Sequence, residues 1–367
     1  MIDARRPGAA PRRASLLARL ITTLVAVLVA IGVVAAQGAC GVGDGGSGVG
    51  ADDPVVADDP RFDVAWRLVA ERYWDLSRVP VDWDEAGARY GAWPRTDDGA
   101  VDRALEALYA ELGDDHSRYV PADEVAAVRE ELGDLPCVGV FGLSTGAAQP
   151  LPTAWAFAQA GGAFRAARSD DAPAELRWSG PVGYGVYPDG VGYVRVADLV
   201  RSGTAEGLRT AVRTLDGEGA RALVLDLRSN PGGRLVTMMQ AAGVFTRGFL
   251  WRALTRWSFP LPYPAIGTPA TDLPLAVLVD GDVHSAAEGL AGALQANGRA
   301  LVVGATTAGN VEAVLPFCLR DGAQAWLATG VLAPLLGPTW EGRGVGPDLP
   351  TAADRAVEAA RAALTRP

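Results

Sequence analysis

The stretch that decides the fold class is Leu275-Ala276-Val277-Leu278-Val279-Asp280-Gly281. Its apolar residues run without alternation, which is typical of a short strand buried on both faces of a sheet. Residues 285–297 follow with the pattern of a helix, and the apolar run Leu301-Val302-Val303 predicts another strand. Strand, helix and strand in this order predict an α/β core around a mostly parallel or mixed sheet.

The same alternation continues over most of residues 188–367. Further strands are predicted at residues 192–196, 222–226, 314–319 and 325–329, and further helices at residues 204–215, 235–245 and 352–365. Together these elements predict a single α/β core in the second half of the chain.

The segment before the core divides into two parts. Residues 54–135 are predicted to be helical, because apolar residues recur at helix spacing, for example over residues 62–73. Residues 136–187 are rich in glycine, alanine and proline, and only short strands are expected in them. The sequence therefore predicts an N-terminal helical subdomain and a short irregular region ahead of the core.

Charge and composition exclude several classes of function. The formal net charge is −10, and all 33 basic residues are arginine, so the chain contains no lysine. Residues 1–39 carry five arginines and one acid, and subtracting their charge of +4 leaves −14 for the rest. An acidic body is unsuited to binding nucleic-acid phosphates. Three cysteines and two histidines lie without metal-ligand spacing, so no zinc site is expected.

The first 39 residues have the pattern of an export signal or membrane anchor. Five arginines precede an uncharged apolar stretch at residues 20–36, and Gln37-Gly38-Ala39-Cys40 follows. The small residues before Cys40 resemble a bacterial lipoprotein cleavage site, although Gln37 stands where leucine is usual. Lipidation at Cys40, an uncleaved single-span anchor and a cleaved soluble protein are the three alternatives. In each of them the body lies outside the cytoplasm, with residues 40–53 as a flexible tether.

Two further cysteines, Cys137 and Cys318, lie in the body of the chain. Outside the cytoplasm two cysteines can form a disulfide. Two buried free thiols are the alternative, and no spacing argument separates the two.

Ser285 stands just after the buried strand and at the start of the predicted helix. A helix N-terminus offers unpaired N–H groups and the positive end of the helix dipole, which suit an oxyanion formed beside a nucleophile. The alternative is that Ser285 is only an N-cap, with Glu288 three residues later completing a capping box. The run Asp226-Leu227-Arg228-Ser229-Asn230-Pro231-Gly232-Gly233 provides a second turn after a buried strand, where glycines let a carbonyl approach bare backbone.

Several ordered motifs resemble those of the C-terminal processing proteases, also called tail-specific proteases. They are the Asn-Pro-Gly-Gly turn, the run over residues 285–310, the segment Glu341-Gly342-Arg343-Gly344-Val345-Gly346-Pro347-Asp348, and Leu112-Gly113-Asp114-Asp115-His116-Ser117-Arg118-Tyr119. The resemblance spans about residues 60–350, except the short middle. It implies an α/β protease core with a mixed sheet, of the ClpP/crotonase type. A PDZ domain would occupy residues 136–187, which are too few, so we expect it to be absent or reduced.

The resemblance also implies a site. Ser285 is the nucleophile of a serine peptidase that cleaves polypeptides through an acyl-enzyme. The backbone N–H groups of Ala286 and of Gly232 or Gly233 stabilise the oxyanion, although a simple turn is the alternative for the glycines. The departure comes at Asn310, which stands where the family's lysine is expected and cannot accept a proton from serine. A chain without lysine must use another base or do no chemistry.

Two histidines can act as a base at neutral pH. The tricorn protease core is similar and pairs its serine with a histidine from a comparable N-terminal segment, which implies a Ser285–His116 pair. A glutamate near the closing motif assists there, and Glu341 lies in the comparable stretch. His116 can instead simply hold the helical part on the core. His284 adjoins Ser285, and neighbouring side chains usually point apart.

The predicted function is a membrane-attached, extracytoplasmic serine peptidase with Ser285, His116 and Glu341 as catalytic residues. Glu312 and the Asp114-Asp115 pair are further carboxylates that could reach the site or orient the histidine. The alternative is a catalytically inactive protease-like fold that binds a peptide or a small apolar ligand, as in retinoid-binding relatives. The missing lysine favours this alternative, whereas the oxyanion elements favour the enzyme.

Overall fold

The structure is a computed structural model that describes residues 60–94, 96–97, 99–132, 137–139, 171–201, 203–256 and 259–365. The predicted export signal with Cys40, the tether and most of the region considered for a PDZ domain lie outside these residues. In the part of the chain that is described, no helix is both long and apolar enough to cross a membrane.

A seven-stranded sheet forms the centre of the α/β core. Its strands are β3 (Arg177–Ser179), β4 (Val182–Val186), β5 (Val191–Val196), β6 (Ala222–Asp226), β9 (Leu275–Val279), β10 (Leu301–Gly304) and β13 (Leu349–Pro350). Their order across the sheet is β13-β10-β9-β6-β5-β4-β3. The first five strands of this order pair in parallel, whereas β5, β4 and β3 pair antiparallel, so the sheet is mixed as predicted.

The apolar runs explain why β6 and β9 lie in the middle. Both strands are buried along their whole length. They pair in parallel, from Leu223 opposite Leu275 to Asp226 opposite Leu278. Because burying one Leu or Val side chain stabilises a fold by about 1.5–3 kcal/mol, such runs are strongly favoured at the centre of a sheet.

Helices cover both faces of this sheet. α5 (Thr204–Gly217), α6 (Leu235–Ala242) and α7 (Ala286–Ala296) pack on one face, and α8 (Ala356–Leu364) packs on the other. The small residues of α7 allow close packing, because a Cβ built on Gly289 would stand 2.6 Å from Met238 Sδ. This packing fixes the N-terminus of α7 beside the end of β9.

A second sheet shares the apolar cluster of α7, to which Trp251 and Leu332 contribute. Its strands are β1 (Arg118–Val120), β2 (Val138–Gly139), β7 (Phe249–Thr255), β8 (Leu261–Pro264), β11 (Glu312–Cys318) and β12 (Gln324–Pro334). The order is β2-β11-β12-β7-β8, and β1 pairs with one end of β12. β11 and β12 are antiparallel, with Glu312 opposite Val331 at the first pair.

The N-terminal helices pack on the second sheet. They are α1 (Pro60–Arg72), α2 (Trp83–Gly91), α3 (Ala100–Ala110) and α4 (Ala122–Leu132). Residues of α1, α2 and α3 share one buried cluster with Phe317, Leu319 and Leu327. The described residues between Pro60 and Leu132 are therefore mainly helical, and they share a buried cluster with strands β11 and β12. His116 lies in the connection between α3 and β1.

The core sheet begins earlier in the chain than the predicted boundary at residue 188. β3 and β4 fall within the region predicted to be irregular, yet β4 pairs along its whole length with β5. Glycines weaken the strand pattern of β4, but a Cβ on Gly185 would stand 2.6 Å from Glu175 O, so close packing requires glycine there. β7 and β8 are also missing from the prediction; β7 pairs with the distant strand β12, and β8 pairs with β7.

Cys137 and Cys318 form a disulfide that joins the residue before β2 to the last residue of β11. Of the two alternatives for these cysteines, the structure contains the disulfide and not two free thiols. It links positions 181 residues apart in the sequence.

Replacing both of these cysteines by serine is expected to lower the free energy of unfolding by about 2–5 kcal/mol, because the bridge restricts the unfolded chain. Urea unfolding of the full-length chain measures the change. Cys40→Ser is the matched control, since it removes a cysteine and leaves the bridge intact. An unchanged midpoint in the double variant would contradict a stabilising role for the bridge.

Candidate active site

Ser285 lies in the turn between β9 and α7, directly before the helix. Its backbone has φ 52° and ψ −122°, and a positive φ is uncommon for a residue with a side chain. The N–H of Ser285 donates to Asn310 O at 2.8 Å and to Glu288 Oε2 at 3.0 Å. These bonds hold a strained backbone of the kind that clusters at active sites.

Glu288 is the anchor of this turn. Its carboxylate is fully buried and accepts four hydrogen bonds, from the N–H groups of Ser285, Gly309 (2.7 Å) and Asn310 (2.9 Å) and from the Thr307 hydroxyl (2.5 Å). Burial raises the pKa of Glu288, and the four donors oppose the shift. The glutamate of the predicted capping box is thus in place, and it also joins the start of α7 to the segment that contains Asn310.

Asn230 organises the glycine-rich turn after β6. Its Nδ2 donates to Val196 O at 2.8 Å, and its Oδ1 accepts from the Gly232 N–H at 2.8 Å. Its backbone carbonyl accepts from the His284 N–H at 3.0 Å. One fully buried residue therefore ties together the end of β5 and the glycine turn through its side chain, and the serine turn through its backbone carbonyl.

Gly232 approaches Ser285 directly. Its φ is 94°, and a Cβ built on it would stand 2.8 Å from Ser285 Cβ, 2.8 Å from His284 O and 2.9 Å from Ala286 N. Its N–H, however, is already donated to Asn230. The predicted oxyanion role of Gly232 is therefore corrected, since Gly232 provides space for Ser285 and its N–H has another acceptor.

The N–H groups of Gly233 and Ala286 differ from that of Gly232. Neither donates a hydrogen bond to another described residue. For Ala286 the reason is its place as the first residue of α7, where intrahelical acceptors are missing. Both remain the predicted donors to an oxyanion at Ser285.

Gly232→Ala is expected to lower the free energy of unfolding by about 2–4 kcal/mol, because the new Cβ is strained and overlaps the serine turn. It should also abolish any reaction of Ser285. Thermal unfolding measures the first effect. The matched control is Gly217→Ala, because a Cβ at Gly217 meets nothing within 4 Å. Equal stability of the two variants would show that the close approach is unimportant.

His116 is buried, with 2% of its surface exposed. Its Nδ1 lies 2.7 Å from Glu312 Oε2, and its Nε2 has no hydrogen-bond partner among the described residues. Burial alone lowers the pKa of His116, but the hydrogen bond and the charge of Glu312 outweigh it, so the pKa is raised. The imidazole is thus held at Nδ1, and its buried Nε2 has no hydrogen-bond partner among the described residues.

The aspartates beside His116 have other partners. Asp114 accepts hydrogen bonds from the backbone N–H of His116 at 2.8 Å and from the Tyr73 hydroxyl at 2.7 Å. Asp115 accepts from Asn310 Nδ2 at 3.3 Å. Asp114 thus holds the backbone of the histidine segment, and Asp115 links this segment to Asn310.

Asn310 stands between the histidine segment and the serine turn. Its side chain donates to Asp115 and its carbonyl accepts from Ser285, so it connects the two. Its Oδ1 is buried and has no partner within the described part of the chain. An amide does not act as a base here, but it positions the elements that carry the serine and the histidine.

Glu341 lies near this cluster and makes a different contact from the one expected. Its Oε2 accepts from the Val311 N–H at 2.9 Å, and among the described residues it has no hydrogen bond to His116. Burial, and then the negative charge of Glu312, raise the pKa of Glu341 to about 7. The carboxylate that contacts the imidazole is Glu312.

His284 precedes Ser285 and is half-buried. Burial, and then the positive charge of His116, lower the pKa of His284. The positive charge of one histidine therefore acts on the other, and a carboxylate, that of Glu312, contacts His116.

Sequence reasoning missed the ion pairs that hold the glycine-rich turn. Arg228 is buried and contacts Asp226 at 2.7 Å and Asp171 at 3.0 Å. It also donates to Ala353 O at 2.8 Å. The available signal is the opposite charge two residues apart in Asp-Leu-Arg, but Asp171 and Ala353 are too far away in sequence to be recognised.

Comparison with known proteins agrees with this geometry. Residues 190–351 match the model described as peptidase family S41. This region is similar to peptidase family S41. It contains Ser285, both turn glycines, Asn310 and Glu341, whereas His116 precedes it. The predicted resemblance to the C-terminal processing proteases, a group of serine-type peptidases, is confirmed for the core.

Curated relatives of the S41 core match over part of their length. The carboxyl-terminal-processing protease of Picosynechococcus sp. is 40% identical over 134 residues, which is 36% of this chain and 32% of the relative. The carboxyl-terminal-processing protease of Synechocystis sp. is 38% identical over 134 residues, which is 36% of this chain and 31% of the relative. This chain thus spans about a third of the length of these relatives.

Solved structures confirm the fold over a larger part of the chain. The photosystem II D1 C-terminal processing protease has a TM-score of 0.57 at 21% identity, covering 80% of this chain and 92% of that chain. A lipoprotein from Streptococcus agalactiae has a TM-score of 0.58 at 14% identity, covering 83% and 94%. These matches confirm the predicted mixed α/β fold with N-terminal helices.

Proposed function

We propose that the chain is a serine endopeptidase in which Ser285 attacks the substrate and His116 is the general base. The observation that carries the proposal is the imidazole of His116, with Nδ1 at 2.7 Å from Glu312 and Nε2 without a partner among the described residues. A buried polar atom without a partner is costly and requires an explanation. Proton exchange with Ser285 supplies one, and it replaces the lysine that this chain lacks.

The proposed reaction has two steps. In the first, the Ser285 Oγ–H bond breaks, its proton moves to His116 Nε2, and Oγ bonds to the scissile carbonyl carbon. The C–N bond then breaks, and the proton on Nε2 passes to the leaving amine. In the second step water attacks the acyl-enzyme, gives one proton to Nε2, and the ester bond to Ser285 breaks as Oγ takes that proton. The N–H groups of Gly233 and Ala286 stabilise the oxyanion in both steps.

The proposed substrate is a polypeptide, in partly unfolded or C-terminal segments. The similarity of the core to peptidase family S41 supports a peptide bond as the target. The curated relatives are carboxyl-terminal-processing proteases, which supports cleavage near a chain end. No metal or organic cofactor takes part in the proposed reaction.

The rate of covalent reaction at Ser285 is expected to rise with pH, with a midpoint above about 6.5, the usual pKa of histidine. The sign follows from the raised pKa of His116, because the imidazole is protonated below that pKa and cannot accept the serine proton. Initial labelling rates between pH 5 and 9 measure the profile. A rate that is flat over this range would contradict a histidine base.

A fluorophosphonate serine probe tests the proposed function on the full-length chain. We expect the wild type to be labelled and Ser285→Ala to remain unlabelled while keeping its melting temperature. Ser229→Ala is the matched control, because Ser229 also has a positive φ in a turn but belongs to the glycine-rich loop. Absence of labelling in a well-folded wild type would overturn the proposal.

Absence of labelling would favour the non-catalytic alternative, a protease-like fold that binds a peptide or a small apolar ligand. The observation in its favour is Asn310, an amide at the place expected for lysine. Native mass spectrometry of the purified chain separates the two functions. A retained peptide that survives Ser285→Ala supports binding, whereas cleavage products that require Ser285 support the peptidase.

We further propose that the domain works outside the cytoplasm, attached to a membrane through its N-terminal segment. The Cys137–Cys318 disulfide supports an oxidising compartment, and the arginine-flanked apolar stretch supports export. Mass spectrometry of the protein from bacterial membranes tests lipidation at Cys40. A diacylglyceryl adduct lost in Cys40→Ser supports the lipoprotein form, and recovery of unmodified protein in the soluble cytoplasmic fraction would contradict the proposal.

A further inference from the structure

We infer that Glu312 is the positioning residue that sets the tautomer and orientation of the His116 imidazole, and that Glu341 holds the strand start that carries Glu312. The inference rests on the proposed function, in which His116 is the base. Glu341, predicted as a catalytic residue, is thereby given a supporting role, because it contacts the backbone before Glu312 and not the imidazole itself.

The contact between His116 and Glu312 selects one tautomer. Nδ1 lies 2.7 Å from Glu312 Oε2, and the two side chains are 0% and 6% exposed. An ionised carboxylate only accepts hydrogen bonds, so Nδ1 carries the proton. In the neutral ring Nε2 then bears the lone pair, which is the form a general base requires.

The other carboxylates nearby are occupied by different donors. Asp114 accepts from the backbone N–H of His116 and from the Tyr73 hydroxyl. Glu341 accepts from the Val311 N–H. Glu312 is therefore the carboxylate in hydrogen-bond contact with the imidazole among the described residues.

The position of Glu312 is set by the residue before it. Val311 donates its N–H to Glu341 Oε2 at 2.9 Å, and its carbonyl accepts from the Leu332 N–H at 3.1 Å. Both backbone groups of Val311 are thus fixed where β11 begins, and Glu312 follows as the first residue of the strand. Glu341 acts on His116 through this backbone.

The charges around the imidazole support the same division of roles. His116 is faced by Glu312 from β11, by Asp114 from its own segment and by Glu341 from the closing loop. Arg78 and His116 in turn act on Glu341 and oppose the rise of its pKa to about 7. The geometry gives the same division, because Glu312 contacts the imidazole whereas Glu341 contacts the Val311 N–H.

Nuclear magnetic resonance tests the inference without relying on turnover. The full-length chain has two histidines, so ¹⁵N-histidine labelling gives two imidazoles, and His284→Gln assigns them. At a pH where His116 is neutral, we expect its proton on Nδ1. A proton on Nε2 in the wild type would overturn the inference, and this measurement needs no variant of Glu312.

A pair of matched variants tests the two roles. Glu312→Gln removes the charge at the imidazole, and we expect it to lower the pKa of His116 and to slow fluorophosphonate labelling by on the order of 10²–10⁴-fold. Glu341→Gln keeps an oxygen for the Val311 N–H and is expected to slow labelling less than about 10-fold, since a bond through the backbone is retained. Glu312→Asp should recover part of the rate if the carboxylate matters.

The outcomes separate this inference from the proposed function. If the wild type is not labelled but His116 shows the Nδ1 proton and a pKa that depends on Glu312, the proposed function fails and the positioning role stands. If Ser285 is labelled but Glu312→Gln leaves both the pKa of His116 and the rate unchanged, the inference fails alone. Larger effects of Glu341→Gln than of Glu312→Gln would reverse the assigned roles.

Discussion

Replacing His116 by alanine is expected to slow fluorophosphonate labelling of Ser285 by on the order of 10⁴–10⁶-fold, since serine is then left without a base. The imidazole is the candidate base because its Nε2 has no partner among the described residues while Glu312 holds Nδ1. Second-order rate constants of labelling measure the loss, at a pH above the raised pKa of His116.

His284→Ala is the matched control for this experiment. His284 is the second histidine of the chain and adjoins Ser285, and alanine retains its backbone bonds to Asn230 O and from the Ala287 N–H. We expect its rate to stay within about 10-fold of the wild type. Because alanine at position 116 leaves the buried Glu312 carboxylate unpaired, His116→Gln serves as a second variant that fills the same space. Retained labelling in both position-116 variants would rule out His116 as the base.

Glu288→Ala is expected to lower the free energy of unfolding by about 3–5 kcal/mol and to abolish labelling, because it leaves buried donors without an acceptor. The N–H groups of Gly309 and Asn310 lose their acceptor, and Ser285 keeps only its bond to Asn310 O. The strained φ of Ser285 then loses one of the two bonds that hold it. Urea unfolding and probe labelling measure the two effects.

Glu358→Ala is the control for the loss of a helical glutamate, because Glu358 is exposed in α8. We expect it to leave stability and labelling unchanged. Glu288→Gln keeps one acceptor oxygen and should fall between the wild type and Glu288→Ala. A Glu288→Ala variant as stable as the wild type would show that water replaces the carboxylate, and that the serine turn does not depend on it.

These two variants separate chemistry from shape. His116→Ala removes the proposed proton acceptor and leaves the serine turn untouched. Glu288→Ala leaves the histidine–glutamate contact in place and releases the turn. Loss of labelling in both, with loss of stability mainly in the second, is the pattern expected of a site assembled from independent parts.

The central strands could be predicted from the sequence with the bounds that the structure has. Residues 222–225 and 275–279 are continuous apolar runs, and such runs are stable only when both faces are covered. β4 could not be predicted in this way, because its glycines lower the strand propensity of the segment. The reason for glycine at these positions is the close packing of Glu175 and Trp178, which only the structure shows. A local sequence pattern predicts a strand or helix well when the propensities of its own residues, and not their distant contacts, determine its structure.

For the candidate site, sequence resemblance brought Ser285, His116, Glu341 and the turn glycines to attention. The carboxylate that contacts the His116 imidazole could not be chosen from the sequence. Glu341 and Glu312 are both glutamates in the expected region, and which of them reaches the imidazole depends on where β11 starts. The choice between Gly232 and Gly233 as the oxyanion donor also needed the structure. Only the structure shows that the Gly232 N–H is bonded to Asn230.

The amino-acid sequence by itself determined the α/β class, the order of the core elements and the absence of lysine, which follow from periodicity and composition. The candidate nucleophile Ser285 and the candidate base His116 came from the resemblance of its motifs to a known family. Only the tertiary structure decided which carboxylate meets His116, that the Gly232 N–H is bonded to Asn230, and that Cys137 meets Cys318. The first and the last of these are contacts between residues distant in sequence, and their partners are chosen by the packing of two sheets and the helices between them.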